Sequence, residues 1–344
     1  MNHASRDVHV LQCSRPFSAD SLKLDAPAAL RSITSGIREQ ALRRLRRRGA
    51  VIGLSGGIDS SVTAALCAAA LGPANVLAVL MPEKDSDPES LRLGHLVADT
   101  YGIGYVVEDI APVLSAAGCY RRRDAAIAQL VPEYGAGWSC KVVLSNALHG
   151  NTYSLTRLVV QSPSGERQET RMPLAVYQAV VAATNMKQRT RKQLEYYHAD
   201  RLNFAVAGTP NRLEYDQGFF VKNGDGAADF KPIAHLYKSQ VYQLAEALGI
   251  PPEICQRPPT TDTWSMAQTQ EEFYFALPYA QMDLCLYGLE NGVPAVDVAR
   301  ATGLTPEQVG LVWRDIEAKR KATRYLHEQP LLIEEPGVGT GSAA

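Results

Sequence analysis

A short polar stretch, Ser55-Gly56-Gly57-Ile58-Asp59-Ser60, follows an apolar run and precedes an alanine-rich one. A strand, a glycine turn and a helix N-terminus form a cradle for phosphate, because the backbone N–H groups turn inward and the helix dipole adds positive potential. The serine hydroxyls supply further donors. Asp59 would repel a phosphate unless a cation lay between them, and Mg²⁺ bridges carboxylate and phosphate oxygens. The stretch therefore predicts a phosphate site that includes Mg²⁺.

This pattern is neither of two common nucleotide-binding loops. No Gly-Lys-Ser/Thr follows it, so it is not a Walker A loop, and it is not the GxGxxG dinucleotide fingerprint. Ser-Gly-Gly-x-Asp-Ser resembles instead the pyrophosphate loop of the N-type ATP pyrophosphatases. Those enzymes cleave ATP to AMP and pyrophosphate while they adenylate a substrate oxygen. The alternative is a glycine turn that merely joins a strand to a helix.

The elements around this loop predict an α/β fold. Strands predicted from short apolar runs alternate with helices, which favours a parallel sheet covered on both faces. The loop lies at the C-terminal end of a strand, where such sheets bind their ligands. The predicted strands are Ala50–Leu54, Val76–Met81, Tyr105–Asp109 and Asn203–Ala207. The predicted helices nearby are Pro27–Arg48, about Asp59–Leu71, Pro88–Tyr101, Leu174–Tyr197 and Tyr237–Leu248.

The chain divides into an arm (residues 1–25), a main domain (residues 26–325) and a tail (residues 326–344) whose end, Glu334–Ala344, is expected to be disordered. Residues 110–184 are predicted to be an extended insertion, which could be a lid, a dimer contact or a surface insertion without function. In and after it, the sequence predicts a helix over Ala111–Leu130, a hairpin of Ser154–Val160 and Arg167–Met172, a loop over Thr260–Phe275 and two helices within Ala295–Lys321.

Composition narrows the range of functions. The 344 residues carry a net charge of −1, and no apolar run approaches the roughly 20 residues that span a bilayer. We expect neither nucleic-acid nor membrane binding, and the six scattered cysteines favour a cytoplasmic protein. The basic run Arg43–Arg48 is either an anion contact or a solvated helix end. The sequence Val296–Val309 has the pattern of a helix-turn-helix. Its second helix, predicted over Pro306–Ile316, carries two acids and only one arginine, which favours a structural helix pair.

Six motifs in order make the resemblance narrower. The chain resembles the ammonia-using NAD synthase family over roughly Pro27–Arg320, with a Rossmann-like (adenine nucleotide alpha hydrolase-like) fold. The motifs are Ser55–Ser60, Asn185-x-Lys-x-Arg189-x-Arg191, Gly208-Thr209-x-Asn211-x-x-Glu214, Gly218-x-Phe-x-Lys222-x-Gly-Asp-Gly-x-x-Asp229, Leu236-x-Lys238-x-Gln240 and Pro258-Pro259-Thr260-x-Asp262. This family amidates deamido-NAD after adenylating its carboxylate, so the resemblance implies an enzyme that uses ATP, Mg²⁺, deamido-NAD and ammonia.

The resemblance also implies roles for individual residues. Catalytic roles fall to Asp59 and Lys238, and Asp59 with Glu214 would bind Mg²⁺. Arg189, Lys222, Asp229 and Lys319 match positions that bind deamido-NAD. ATP contacts are implied for Gly53, Ser55, Gly56, Gly57, Asp59, Ser60, Thr209, Lys238 and Thr260. The family forms homodimers whose interface helps to build the deamido-NAD site, so a homodimer is expected.

Three departures lie on the substrate and ammonia side. Ala318 stands where ammonia-dependent members commonly have histidine, the loop Gln268–Tyr274 has lost one acid and gained aromatics, and the 110–184 region is longer than the family needs. A related amidotransferase with another carboxylate substrate is therefore an alternative, as is a non-enzymatic nucleotide-binding protein. Only about 25–50 residues precede the first strand, too few for a nitrilase-like glutaminase domain, so free ammonia or a separate glutaminase subunit is expected.

Overall fold

Two sheets organise the computed structural model of the protein, which describes residues 16–144, 156–261, 263–275 and 277–334. The strands are β1 (Ala50–Gly53), β2 (Val76–Leu80), β3 (Gly104–Val107), β4 (Ser139–Leu144), β5 (Thr156–Gln161), β6 (Arg167–Arg171) and β7 (Ala205–Val206). In the described residues β3-β2-β1-β7 form a parallel sheet and β4-β5-β6 an antiparallel one. The predicted α/β fold is confirmed, with each parallel strand near its predicted bounds.

Helices cover both faces of the parallel sheet because successive β1 side chains point to opposite sides. The helices are α1 (Ala26–Arg38), α2 (Ile58–Leu71), α3 (Pro88–Tyr101), α4 (Ala111–Ala116), α5 (Cys119–Ile127), α6 (Leu174–Leu202), α7 (Arg212–Gln217), α8 (Lys238–Leu248), α9 (Pro252–Gln256), α10 (Tyr279–Glu290), α11 (Ala295–Thr302) and α12 (Pro306–His327). Ile52 packs with residues of α1, α2, α3 and α8, whereas Val51 packs with residues of α4, α5 and α6.

The described residues of the 110–184 region form α4, α5, the β4–β6 sheet and the start of α6. The predicted hairpin is confirmed as β5 and β6, but β4 was not predicted. The single helix predicted over Ala111–Leu130 is wrong, because Gly118 adopts the left-handed conformation (φ +75°) and separates α4 from α5. Leu158 and Val160 of β5 are buried against Val176 and Val180 of α6, so this sheet has a core of its own.

Other differences concern helix bounds. The helix predicted over Pro27–Arg48 changes to π-helical hydrogen bonding at Glu39–Arg44, and the segment predicted as a loop over Thr260–Phe275 ends in a π-helical turn, Glu271–Phe275. The last helix is longer than predicted and reaches His327. Helix α10 was not predicted. It is buried on most of its surface, so its sequence has no single apolar stripe of helical period.

The predicted arm is only partly described. From residue 16 onward it packs on the body: Phe17 stacks on Tyr287 at 5.8 Å between ring centroids, and Leu22 is buried. Cys13 and the predicted disordered end, residues 335–344, lie outside the described residues. Among the helices that are described, none is both long and apolar enough to cross a membrane.

Candidate active site

A cleft of about 800 Å³ lies beyond the C-terminal ends of β1 and β2. It brings together most of the predicted site residues. Those that line it are Gly53, Ser55, Gly57, Asp59, Ser60, Arg189, Thr209, Glu214, Lys222 and Thr260. Gly56, Lys238, Asp229 and Lys319 lie outside the described residues that line the cleft. The predicted phosphate side and acceptor side are therefore two walls of one cavity.

The loop between β1 and α2 is held open by its own serines. Ser60 Oγ donates to the Gly57 carbonyl at 3.0 Å and lies 3.2 Å from Ser55 Oγ. Gly57 precedes the first turn of α2, and no described side chain caps that turn. Its backbone N–H groups therefore remain free at the positive end of the helix dipole, the arrangement that binds phosphate.

The glycines of this loop are required for different reasons. Gly56 has φ +71°, and a Cβ there would lie 2.6 Å from Leu93 Cβ. A Cβ on Gly57 would meet the chain only at Ser55 Oγ, 3.4 Å away. Gly53 has no room for a side chain, since a Cβ would lie 2.7 Å from Glu195 Oε1. Gly56 therefore serves the fold, whereas the open space beside Gly57 is available to a ligand.

Two carboxylates, Asp59 in the phosphate loop and Glu214 in α7, are joined by one residue, Asn211. Asn211 Nδ2 donates to Asp59 Oδ1 at 3.1 Å, and the Asn211 backbone N–H donates to Glu214 Oε2 at 3.1 Å. The Glu214 N–H donates back to Asn211 Oδ1 at 3.2 Å, so the pair forms a capping box at the start of α7. Burial and the nearby Asp59 charge raise the pKa of Glu214 to about 8.

This acid pair fits a divalent cation. Burial, and after it the repulsion from Asp59, disfavours the charged form of Glu214, and a cation beside the two carboxylates would offset both effects. Carboxylate oxygens are ligands that Mg²⁺ prefers. The described residues contain no group of three or more His, Cys, Asp or Glu side chains that could hold a metal by themselves. Mg²⁺ commonly takes its remaining ligands from water and substrate phosphates, so two protein carboxylates are sufficient.

Lys238 is a completely buried cation beside this pair. Its Nζ forms an ion pair with Asp59 Oδ2. Burial opposes the charged form, but Asp59 and Glu214 outweigh it and the pKa of Lys238 is raised. The lysine begins α8, where Asp283 of α10 accepts from the backbone N–H groups of Lys238 (3.2 Å) and Ser239 (2.7 Å). Asp283 therefore fixes the helix end that carries the lysine.

The acceptor wall carries several cations. Arg189 Nε donates to the Lys222 carbonyl at 3.2 Å, and Lys222 Nζ donates to the carbonyls of Tyr325 (2.7 Å) and Glu328 (2.9 Å) at the end of α12. Asp229, by contrast, accepts from the Val206 N–H at 2.7 Å and so anchors the short strand β7. The structure thus places Arg189 and Lys222 at the cavity and Asp229 behind it.

A group of aromatic side chains lines a part of the cleft that we call its aromatic end. Tyr274 stacks on Phe219 with ring centroids 4.7 Å apart, and Phe273 lies 5.9 Å from the same ring. Lys319 Nζ donates to the Tyr274 carbonyl at 2.7 Å and pairs with Asp315 at 2.7 Å. Here Lys319 holds the aromatic segment in place; its predicted contact with deamido-NAD stays a prediction.

Three important residues were not among the predicted site residues. Asn211 was inside a quoted motif, and its Asn-x-x-Glu spacing is the signal of a capping box. Asp283 is the only acid in the apolar run Met282–Leu286, which is a signal for a buried polar role. Glu195 had no comparable signal, because only the fold brings it against Gly53.

Comparisons with known proteins find relatives over most of the chain. The family model described as NAD synthase matches residues 29–130 and 151–330. A relative from Rhizobium meliloti (strain 1021), named NH(3)-dependent NAD(+) synthetase, is 67% identical over 318 residues, which is 92% of this chain and 95% of the relative.

Solved structures show a similar fold. The NH3-dependent NAD synthetase of Campylobacter jejuni has a TM-score of 0.58 at 22% identity, covering 90% of this chain and 100% of that one. The NMN synthetase of Francisella tularensis has a TM-score of 0.62 at 21% identity, covering 90% and 99%. At such low identities the structural similarity shows a shared fold only. Family membership is shown by the family model and by the 67% identical relative. The chain belongs to the NAD synthase family.

Proposed function

We propose that the protein catalyses the ATP-dependent amidation of deamido-NAD to NAD with ammonia, releasing AMP and pyrophosphate. One observation carries the proposal: Asp59, Asn211, Glu214 and Lys238 are joined at the phosphate loop. The two carboxylates of this group, Asp59 and Glu214, line the same cleft as Arg189 and Lys222. Family membership and the name of the 67% identical relative support it.

The chemistry explains why both walls are needed. A carboxylate oxygen of deamido-NAD attacks the α-phosphorus of ATP, and the bond to the pyrophosphate leaving group breaks. Ammonia then attacks the activated carboxyl carbon, the C–O bond to AMP breaks, and the nitrogen loses a proton to solvent. These steps depend on alignment and on stabilising charge, not on a protein nucleophile.

The residues of this chain divide the work. The free N–H groups at the start of α2 and the Ser55 and Ser60 hydroxyls would bind ATP phosphates. The Lys238 ammonium would offset charge that develops on pyrophosphate. Arg189 and Lys222 would orient the pyrophosphate and carboxylate of deamido-NAD. The aromatic group around Phe219 and Tyr274 would limit the access of water to the activated carboxyl carbon.

Mg²⁺ is the proposed metal, held by Asp59 and Glu214. Bound there, it would neutralise phosphate charge as pyrophosphate leaves. Thr209 and Thr260, which also line the cleft, are proposed ATP contacts, together with Gly53, Gly56 and Gly57. Asp229 and Lys319 are also proposed to contribute to deamido-NAD binding. In the structure Asp229 anchors β7 and Lys319 anchors Tyr274, so each supports the cleft from behind its lining residues.

The test is to incubate the protein with ATP, Mg²⁺, deamido-NAD and ammonium, and to measure NAD and pyrophosphate together. Equal amounts of the two products are expected. Pyrophosphate release that needs another carboxylate, with no NAD from deamido-NAD, would replace this function with that of a related amidotransferase. Nicotinate mononucleotide belongs in the substrate panel, because it carries the same carboxylate on half of the dinucleotide.

Three further points belong to the same proposal. The nitrogen source is free ammonia or a separate glutaminase subunit, so glutamine alone should not support turnover by the pure chain.

A homodimer is proposed, and light scattering should give twice the mass of one chain. The cytoplasm is the proposed compartment, since the five described cysteines are free thiols, as expected where disulfides do not form.

A further inference from the structure

One wall of the cleft is a segment that we call the wall segment, residues 263–275. Its Thr263, Trp264, Gln270, Phe273 and Tyr274 line the cavity. Only its last residues, Glu271–Phe275, form a helical turn, and the others make no regular backbone ladder of their own in the described structure. A segment of this kind needs partners elsewhere if it is to keep one conformation.

Some of those partners are the backbones of Pro259 and Thr261, and several others lie on the outer edge of β4. The Cys140 N–H donates to Ser265 Oγ at 2.9 Å, and the Met266 N–H donates to the Cys140 carbonyl at 3.2 Å. Gln268, which is buried, donates through Nε2 to the Val142 carbonyl. Strand β4 is an edge strand of its sheet in the described residues, so these bonds satisfy backbone groups that the sheet itself leaves unpaired.

Packing and charge reinforce the same contact. Trp264 is buried in the core of the β4–β6 sheet with Val142 and Leu158. Lys141 Nζ forms an ion pair with Glu272 Oε1 at 2.6 Å, with the lysine 16% and the glutamate 40% exposed. The wall segment therefore has one side in the core of the β4–β6 sheet and the other side in the cleft.

The wall segment also meets the acceptor wall. Glu272, which Lys141 holds, directly precedes Phe273 and Tyr274, and both of these rings pack on Phe219. Phe219 lies three residues before Lys222, one of the proposed deamido-NAD contacts. The phosphate loop receives none of these contacts from β4 in the described residues.

We propose that the β4–β6 sheet is a scaffold that holds the wall segment in place, and that Lys141 and Gln268 are positioning residues for the acceptor substrate. Neither residue is among the described residues that line the cleft. The effect on the acceptor rests on the function proposed above, namely that deamido-NAD binds in this cleft. Through this sheet the 110–184 region has a role in substrate binding and is more than a surface insertion without function.

The experiment compares Gln268→Leu and Lys141→Met with a matched control. Arg157→Met breaks the Arg157–Glu169 ion pair (2.6 Å) between β5 and β6, which belongs to the same sheet but does not touch the wall segment. Amide hydrogen exchange is measured without substrates, and steady-state kinetics with deamido-NAD and ATP varied in turn. We expect exchange in residues 263–275 to become about 10-fold faster in Gln268→Leu.

The kinetic expectation is a split between the two substrates. The KM for deamido-NAD should rise about 5-fold in both variants, with the KM for ATP and kcat within about twofold. Arg157→Met should change neither exchange in the segment nor either KM. A purely structural role would lower thermal stability without separating the two KM values.

Each other result has a definite meaning. Unchanged exchange in the segment would overturn the scaffold, and faster exchange with an unchanged KM for deamido-NAD would overturn the positioning role. If Gln268→Leu unfolds, exchange rises everywhere, including in β1, and the half-exposed Lys141–Glu272 pair then decides through Lys141→Met. If the wild-type protein makes no NAD, the proposed function fails, while the exchange data still decide whether the sheet holds the segment.

Discussion

The two ends of the cleft are built in different ways. At the phosphate end, one loop of consecutive residues supplies Ser55, Asp59 and Ser60, and the serine hydrogen bonds that shape this loop are local. At the aromatic end, the wall segment is held by β4, by Lys187 of α6, which donates to the Thr263 carbonyl at 2.8 Å, and by Lys319 of α12. No local sequence pattern specifies that end.

The difference shows where each kind of chemistry can tolerate change. Phosphate binding needs backbone N–H groups and a helix end at fixed positions. A short local sequence is therefore enough to specify the phosphate site, and it tolerates few substitutions. An enclosing wall needs only apolar surface that is held in place, and several supports can provide that. Accordingly, the predicted departures from the family pattern at residues 268–274 lie in the wall segment, which packs on the β4–β6 sheet, whereas the phosphate loop keeps the predicted pattern.

The largest expected effect is at the acid pair. Asp59→Asn keeps the side-chain size but removes the charge that Lys238 and the proposed Mg²⁺ require, so kcat/KM should fall about 100- to 1000-fold. Pyrophosphate release measures it. Asp297→Asn, which alters an ion pair on α11, is the control. Activity within tenfold of wild type would mean that Asp59 is not a central residue of the phosphate end.

The two loop glycines should separate folding from binding. Gly56→Ala should destabilise the protein by about 1–3 kcal/mol, because the residue has φ +71° and its Cβ would contact Leu93. Gly57→Ala should fold nearly normally but raise the KM for ATP about 10- to 100-fold, since its methyl group would occupy ligand space. Thermal unfolding and ATP kinetics measure the two effects. A reversal of the two phenotypes would contradict the assignment.

The aromatic end predicts a smaller and more selective effect. Tyr274→Ala removes the stack on Phe219 and the hydrogen bond from the Tyr274 hydroxyl to the Gln217 carbonyl (2.7 Å). The KM for deamido-NAD should rise about 10-fold while the KM for ATP changes little. Tyr105→Ala, at an exposed position on β3, is the control. Equal increases in both KM values would show that the two ends do not act separately.

The smallest effect separates two adjacent serines. Ser60 lines the cleft, whereas Ser61 donates to the Gly57 carbonyl at 2.8 Å and is completely buried. Ser60→Ala should raise the KM for ATP about 5-fold, the value of one hydrogen bond, and Ser61→Ala should leave it unchanged. ATP kinetics on both variants provide the measurement, and a larger effect from Ser61→Ala would argue against the proposed role of Ser60.

Much of the parallel sheet could be predicted from sequence. Its strands are short apolar runs that end in turn residues, and α3 was predicted with its observed bounds, Pro88–Tyr101. Prediction failed where a single backbone conformation or a distant partner decides the structure. Gly118 divides a run that has helical periodicity throughout, and β4 becomes a strand through its pairing with β5 and its contact with the wall segment.

Local sequence was enough for the phosphate loop, its helix and the capping box of Asn211 and Glu214, because hydrogen bonds between near neighbours define them. Tertiary structure decided that Lys238 is buried against Asp59, 179 residues away in the chain, and that Asp283 fixes the helix end that carries it. It also decided that Lys319 supports Tyr274. Residues so far apart in the chain come together only in the folded protein. A buried charge must then have a partner of opposite charge, because an unpaired buried charge is energetically very unfavourable.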